Sequence, residues 1–267
     1  MTPTDTAATA AKAELLRSLH VPGTPLIVTN VWDAITARTV AAVPGVKALA
    51  TASHAISFAH GVHDGEGLSL EQALAAASLI THAVDLPVSV DFERGYAPDL
   101  EALHHSIARL IATGAAGLNI EDTIDAAAKT MFPIEVATDR VAAVRSTAST
   151  VGVPLVINAR VDTLARGGEW GDMVARANSY LSAGADVIFV LGLGTEDKVK
   201  RALDEIDGKI SVISNPTSVP LKRLAELGVS RVSFGPGPLG LTLAHLQQTA
   251  AQLTSLGEYP AELGFAY

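Results

Sequence analysis

The sequence predicts a (β/α)8 barrel, also called a TIM barrel, and two observations support this fold class. Eight short runs rich in Val, Ile and Leu recur along the 267 residues, and longer Ala-rich stretches separate them. Several of these stretches end in Gly, as in ATGAAG, SAGAD and ELGVS, where a helix terminus is expected. No break in composition interrupts the alternation. We therefore expect one barrel domain over residues 1–267, with an N-terminal helix and a short C-terminal tail.

The predicted strands follow one another at intervals that leave room for a helix between them. They cover residues 26–32, 46–53, 87–93, 117–122, 154–160, 186–192, 209–216 and 231–237. The clearest amphipathic helices cover residues 69–84, 99–114 and 169–184. A doubly wound open sheet is the alternative fold. The absence of G-x-G-x-x-G after the first strand weakens that alternative.

Composition and charge exclude several classes of function. The chain has no Cys, which excludes disulfides, zinc–thiolate sites, iron–sulfur clusters and cysteine nucleophiles. Its net charge is −9 and its basic residues are not clustered, so neither nucleic acid nor an anionic membrane is an expected partner. The N-terminus lacks the pattern of a secretory signal, and no apolar run approaches the roughly 18 residues of a membrane span. We expect a cytoplasmic protein.

Polar residues stand at the ends of three predicted strands. Asp91 and Glu93 would share one face of the third strand, Glu121 ends the fourth, and Asn158 and Arg160 share a face of the fifth. In a barrel, the carboxyl ends of the strands meet at the face that carries the active site. These side chains are therefore expected in one small area.

Three carboxylates against one guanidinium would leave an excess of negative charge in a partly buried place, which is unfavourable. A divalent cation would remove the excess, and a site with only oxygen ligands favours Mg²⁺, or Mn²⁺, over Zn²⁺. Asp91, Glu93 and Glu121 are the candidate metal ligands, and Arg160 could bind a substrate carboxylate with two hydrogen bonds. The alternative is a purely structural network of arginine and carboxylates.

Six motifs, in order, resemble those of the isocitrate lyase/phosphoenolpyruvate mutase superfamily. The likeness runs from about residue 26 to residue 235, and the motifs are NVWDAITAR (30–38), GVHDGE (61–66), DFERGYA (91–97), NIEDT (119–123), NARVD (158–162) and AGADVIFV (183–190). Each motif alone is modest, but their order and spacing together are specific. The resemblance implies a TIM barrel, a Mg²⁺ cofactor and a small carboxylic acid as substrate. It also implies a homo-oligomer, either a tetramer or a dimer.

The resemblance adds three site residues to those found from charge. Ser53 and His54 match a loop after the second strand whose backbone N–H groups receive substrate oxygens, and a role for His54 in proton transfer is possible. Asp64 matches the acid that approaches the transferred group in the phosphonopyruvate-processing branches. In this superfamily an α-keto acid forms an enolate as a C–C or P–C bond breaks. The predicted catalytic residues are Asp64, Arg160 and His54, and the predicted substrate-binding residues are Ser53, His54, Arg160 and Asn158.

The loop after the fourth strand departs from the superfamily pattern. Residues 123–136 are short and lack Cys, which argues against isocitrate and methylisocitrate lyase activity. Only Lys129 could replace the lysine of the mutases, and Leu191 stands where they have a histidine. The sequence therefore predicts a Mg²⁺-dependent lyase that cleaves a C–C bond in a small α-keto or 2-hydroxy acid such as oxaloacetate. P–C bond chemistry on phosphonopyruvate and a catalytically silent metabolite-binding barrel are the alternatives.

Overall fold

A closed parallel barrel forms the centre of the molecule. The structure, a computed structural model, describes residues 3–259, so residues 260–267 of the predicted C-terminal tail lie outside the described residues. Its strands are β1 (Leu26–Val28), β2 (Asn30–Val31), β3 (Leu49–Thr51), β4 (Val88–Asp91), β5 (Gly117–Glu121), β6 (Thr123–Asp125), β7 (Thr130–Met131), β8 (Val156–Val161), β9 (Val187–Val190), β10 (Ile210–Ile213) and β11 (Arg231–Ser233).

The order of the strands confirms the predicted barrel. The main sheet runs β1-β11-β10-β9-β8-β5-β4-β3-β2, and all of its neighbours are parallel. β1 and β2 are two halves of one strand interrupted at Thr29. The first half pairs with β11 and the second with β3, so the sheet closes on itself with eight strand positions. That one domain spans all 267 residues stays a prediction.

Helices cover the outside of the barrel. They are α1 (Pro3–Ser18), α2 (Ala34–Ala41), α3 (Ser53–Ala59), α4 (Leu70–Thr81), α5 (Leu100–Ala112), α6 (Ile134–Val151), α7 (Trp170–Ser182), α8 (Glu196–Glu205), α9 (Leu221–Leu227) and α10 (Gly237–Thr254). Asp33 and Ser69 begin α2 and α4 with capping boxes, and Gly152 and Gly228 end α6 and α9 in the left-handed conformation. None of the helices in residues 3–259 combines the length and apolar character that a membrane crossing requires.

Packing between the helices and the sheet supplies most of the core. In α5, for example, Leu103, Ile107, Leu110 and Ile111 are fully buried. Their spacing of three and four residues places them on one face of the helix. Full burial of a side chain of this kind stabilises the fold by about 1.5–3 kcal/mol. The helices therefore hold the strand ends in fixed positions, which is what a site at the rim requires.

Two strands end earlier at the rim than the sequence predicts. The run 46–53 stops being a strand at Thr51, and Ser53 already begins α3. The run 87–93 ends as a strand at Asp91, and Glu93 has a φ of 48° in the left-handed region. The prediction that Glu93 extends the face of Asp91 along the strand is therefore wrong. A turn, and not strand alternation, brings Glu93 to the rim.

The predicted loop 123–136 contains an antiparallel hairpin made of β6 and β7. Asp125 accepts hydrogen bonds from the N–H groups of Ala127 and Ala128, which fixes the turn. Phe132 N–H donates to the Asp122 carbonyl at 2.9 Å, so the hairpin returns to the end of β5 before α6 begins. This hairpin lies at the same end of the barrel as Asp91 and Glu121.

Candidate active site

The carboxyl ends of β4, β5 and β8 bring four predicted site residues into one area, which we call the mouth. It contains Asp91, Glu93, Glu121 and Arg160. Arg160 Nη1 lies 2.6 Å from Glu121 Oε2, and the Glu121 N–H donates to the Glu93 carbonyl at 2.9 Å. β5 and β8 align Glu121 with Arg160 in register, which explains their contact. The sequence pattern and the barrel geometry agree on this cluster.

Two residues, Ser53 and Asn119, donate hydrogen bonds to the Asp91 carboxylate. Its Oδ2 accepts hydrogen bonds from the Ser53 N–H at 3.1 Å and from Ser53 Oγ at 2.9 Å. Its Oδ1 accepts from Asn119 Nδ2 at 3.3 Å, and Asn119 Oδ1 in turn accepts from Asn158 Nδ2 at 2.8 Å. Ser53 and Asn158, predicted to bind substrate, therefore orient Asp91, the first directly and the second through Asn119.

Glu93 is buried, with both carboxylate oxygens hydrogen-bonded. Tyr96 Oη donates to Oε1 at 2.5 Å, and the Glu66 N–H donates to Oε2 at 2.5 Å. The pKa of Glu93 is raised to about 7, chiefly by burial and also by the charges of Asp91 and Asp64, although the Tyr96 hydrogen bond opposes the rise. The crowding of negative charge expected from the sequence is present at this residue.

Glu121 shows the same effect more strongly. Burial raises its pKa to about 8, and the charges of Asp162, Asp91 and Glu93 act in the same direction although Arg160 opposes them. One arginine therefore does not compensate the carboxylates of the mouth. This imbalance is the physical signature of a place where a cation is favourable.

Arg160 is shared between two carboxylates of the protein. Besides Glu121, it contacts Asp162, whose Oδ1 and Oδ2 accept from Nε at 2.7 Å and from Nη2 at 2.8 Å. Burial alone would raise the pKa of Asp162, but the Arg160 guanidinium holds it below its usual value. A guanidinium has about five N–H donors, so roughly two remain for a substrate carboxylate.

His54 and Asp64 lie beside this cluster, His54 in the first turn of α3 and Asp64 on the loop between α3 and α4. His54 Nδ1 is 3.7 Å from Asp64 Oδ2, and each side chain is 40% exposed. The His54 ring stacks on Phe58, with ring centroids 4.3 Å apart, which restricts its orientation. The two residues therefore form a solvent-accessible pair of an imidazole and a carboxylate.

Sequence reasoning missed three residues that shape the mouth. Asp162, the residue directly after β8, accepts two hydrogen bonds from Arg160, and Glu66 and Tyr96 donate hydrogen bonds to Glu93. The spacing of Arg160 and Asp162 in NARVD was a usable signal, because residues two apart on a strand share a face. No local pattern shows the contacts of Glu66 and Tyr96, since both depend on turns.

Comparison with known proteins identifies the family. The family model described as phosphoenolpyruvate phosphomutase matches residues 16–254. The chain belongs to this family. The match includes every strand of the barrel and all of the predicted site residues, and it confirms the superfamily that the six motifs indicated.

Relatives in the phosphoenolpyruvate mutase superfamily cover both kinds of bond cleavage. A Burkholderia cenocepacia J2315 crystal structure, provisionally named a phosphonomutase, is 36% identical, with a TM-score of 0.86 over 90% of this chain and 99% of that one. Oxaloacetate decarboxylase 1 of Pseudomonas putida W619 is 30% identical over 179 residues, which are 63% of this chain and 59% of that protein. A phosphonopyruvate hydrolase solved with oxalate and Mg²⁺ has the same fold, with a TM-score of 0.83 at 22% identity over 96% and 92% of the two chains.

These relatives confirm, for the family, an enzyme that acts on small carboxylic acids as a lyase or a mutase. The fit of a metal to this chain depends on its own residues. In residues 3–259, no three Asp, Glu or His side chains are placed to hold one metal ion directly. The oxygen-only donors and the raised pKa values of Glu93 and Glu121 fit Mg²⁺, an ion that keeps several of its waters. Asp91, Glu93 and Glu121 would hold it, in part through those waters.

Proposed function

We propose that the protein is a Mg²⁺-dependent lyase that cleaves a C–C bond in a small α-keto or 2-hydroxy carboxylic acid of the oxaloacetate type. The observation that supports this most directly is the uncompensated cluster of Asp91, Glu93 and Glu121 beside Arg160. Mg²⁺, or Mn²⁺ in its place, would supply a Lewis acid for the negative charge that develops on the substrate's carbonyl oxygen.

Side chains at and beside the mouth bind the substrate, orient Asp91 and return the proton. Arg160 binds the substrate carboxylate through the donors that Glu121 and Asp162 leave free. Ser53 and Asn119 keep Asp91 in one orientation, so the negative charge of the site is fixed in advance. The exposed pair of His54 and Asp64 returns a proton to the carbon that loses its substituent.

A panel of substrates tests the proposal. The protein is incubated with Mg²⁺ and oxaloacetate, phosphonopyruvate, phosphoenolpyruvate or 2-methylisocitrate-like acids, and the release of pyruvate is followed. We expect turnover of a carboxylic acid that EDTA abolishes and that Glu121→Ala reduces by about 100-fold or more. Glu101→Ala, which changes an exposed carboxylate on α5, is the matched control and should leave the rate unchanged. The metal site is wrong if neither EDTA nor Asp91→Ala changes any response to these ligands.

P–C bond chemistry on phosphonopyruvate is the second candidate, and the place of Asp64 favours it. Asp64 contacts His54, and its charge acts on Glu93, so it faces the mouth. Release of phosphate from phosphonopyruvate that is lost in Asp64→Ala would select this branch. Thermal stabilisation by these acids without turnover would instead select a binding protein.

The assembly of the protein is also part of the proposal. The C-terminal helix α10 leaves several leucines exposed, with Leu241 at 77%, Leu246 at 61% and Leu243 at 49%. Exposed leucines of this kind support a homo-oligomer, either a dimer or a tetramer. Light scattering on the full chain measures the assembly, and a monomer at micromolar concentration would contradict it. The cytoplasmic location stays a prediction.

A further inference from the structure

Arg94 connects two loops and the hairpin at the mouth. It follows Glu93 directly in the sequence, where it adds a cation next to the candidate metal ligands. Its guanidinium donates to Glu66 Oε2 at 3.0 Å, to the Gly65 carbonyl at 3.2 Å and to the Ile124 carbonyl in β6. One side chain thus connects the loop that carries Asp64, the end of the β4 segment and the β6–β7 hairpin.

Glu66 links Arg94 to Glu93 through hydrogen bonds of its own. Its Oε1 accepts from the Tyr96 N–H at 2.8 Å, while its own N–H donates to Glu93 Oε2 at 2.5 Å. Tyr96 Oη donates to Glu93 Oε1 at 2.5 Å and closes the ring of contacts. Both oxygens of Glu93 are therefore oriented by groups that Glu66 and Arg94 keep in place.

The backbone around this ring is held in an unfavourable conformation. Residues other than Gly rarely have positive φ, yet Glu66, Glu93 and Tyr96 have φ values of 62°, 48° and 53°. They account for three of the five such residues in the described part of the chain, and Lys129 in the turn of the hairpin is a fourth. Strained residues persist where surrounding contacts determine them, and they are frequent at functional sites.

The Arg94–Glu66 ion pair is only partly buried. The two side chains are 23% and 17% exposed. Both line a cavity of about 510 Å³, together with Leu68, Tyr96 and Phe132. The pair can therefore separate without disturbing the barrel core, so its loss would affect the loops selectively.

We propose that Arg94 and Glu66 are positioning residues of the reaction. They keep Glu93 and the loop that carries Asp64 in one arrangement, and they hold the β6–β7 hairpin against that loop. The catalytic part of this assignment rests on the proposed function. The structural part does not, because it concerns contacts that can be measured without substrate.

Hydrogen–deuterium exchange tests the structural part. Wild type is compared with Arg94→Gln, with Arg94→Lys and with Arg109→Gln, which breaks the exposed Arg109–Glu71 pair between α5 and α4. We expect the amides of residues 61–69 and 123–131 to exchange about tenfold faster in Arg94→Gln, with intermediate rates in Arg94→Lys and wild-type rates in Arg109→Gln. Equal exchange in wild type and Arg94→Gln would overturn the proposal.

Steady-state kinetics tests the catalytic part on the substrate that the panel identifies. In Arg94→Gln and Glu66→Gln we expect kcat to fall about 10- to 100-fold, with a smaller rise in KM, because misplaced groups slow the chemical step. The double variant should be no slower than the slower single variant, since the two residues act as one unit. Losses that multiply in the double variant would contradict a shared role. If wild type turns over none of the acids, the proposed lyase fails, while the exchange experiment still decides on the contacts of Arg94.

Discussion

The two ends of the barrel interior hold ionisable groups of opposite kinds, and burial shifts their pKa values in opposite directions. At the mouth, carboxylates crowd together, and burial raises the pKa values of Glu93 and Glu121 to about 7 and 8. At the other end, which we call the floor, the imidazole of His20 and the guanidinium of Arg231 are buried. Burial lowers the pKa of His20 to about 3 and that of Arg231 to about 10. Each end disfavours its own charged form.

The two ends differ in whether ions and ligands from solvent can reach their charged groups. At the mouth, the side chains of Arg160 and Glu121 keep 17% and 10% of their surface exposed, so a small ion from solvent can reach them. The floor is closed, because His20 and Arg231 are 1% and 0% exposed, so no ion from solvent can reach the buried guanidinium of Arg231. A charge imbalance that external ions can relieve indicates a working site, whereas the same imbalance in a sealed place is only a cost to stability.

Removing Arg160 should have the largest effect. Arg160→Met leaves the Glu121 carboxylate buried without its cationic partner and leaves Asp162 with Arg166 alone, so we expect a loss of about 3 kcal/mol or more in the free energy of unfolding. Turnover should also fall to background, because the substrate carboxylate loses its anchor. Urea unfolding and the substrate panel measure the two effects, and Arg109→Met on the surface serves as the control. A stable, active Arg160→Met protein would remove the mouth from consideration as the site.

The buried His20 at the floor should make the free energy of unfolding depend on pH. His20 Nδ1 donates to the Leu16 carbonyl at 2.7 Å, and its Nε2 is buried with no partner among the described residues. Its pKa is lowered on folding, so the contribution of neutral His20 is complete above pH 6.5 and is lost as the pH falls and the unfolded chain takes up the proton. At pH 5 this costs about 2 kcal/mol.

His20→Gln should therefore flatten the decrease in stability between pH 7 and pH 5, measured by urea unfolding at each pH. His105→Gln, at an exposed position of α5, should keep the wild-type slope. Equal slopes in wild type and His20→Gln would mean that His20 is already protonated in the folded protein.

Removing the hydrogen bond from Tyr180 to Asp122, which supports Asp162 and through it Arg160, should reduce the stability of the fold by a smaller amount. Tyr180 Oη donates to Asp122 Oδ2 at 2.8 Å, and Asp122 Oδ1 accepts the N–H of Asp162, the residue that grips Arg160. Tyr180→Phe removes a hydrogen bond to a buried carboxylate, and we expect a loss of about 1.5 kcal/mol in the free energy of unfolding. Burial raises the pKa of Asp122 to about 6, and loss of the Tyr180 hydroxyl should raise it further. Tyr259→Phe at an exposed position is the control, and an unchanged stability in Tyr180→Phe would contradict this supporting role.

The mouth and the floor also differ in how far the sequence predicts them. Asp91, Glu121 and Arg160 were predictable because strand ends in a barrel converge, whatever the loops do. Glu93 was chosen correctly as part of the cluster but for the wrong geometric reason, since its left-handed turn depends on contacts with Glu66 and Tyr96 that lie outside local patterns. Arg231 opens an ordinary strand run, and nothing in that run shows that its side chain crosses the closed barrel to Ser89.

Arg231 offers the sharpest contrast with Arg160, because the same substitution should act differently at the two ends. Arg231 Nη1 contacts Ser89 Oγ at 3.1 Å, Nε has no partner among the described residues, and no carboxylate of that part of the chain forms an ion pair with it. Arg231→Met removes a buried charge without leaving a carboxylate alone. The free energy of unfolding should therefore stay the same or rise by about 1 kcal/mol. Urea unfolding of Arg231→Met beside Arg160→Met measures the contrast. A loss as large as that of Arg160→Met would show that Arg231 stabilises the ionised Asp91 above it, and the floor would then belong to the electrostatics of the mouth.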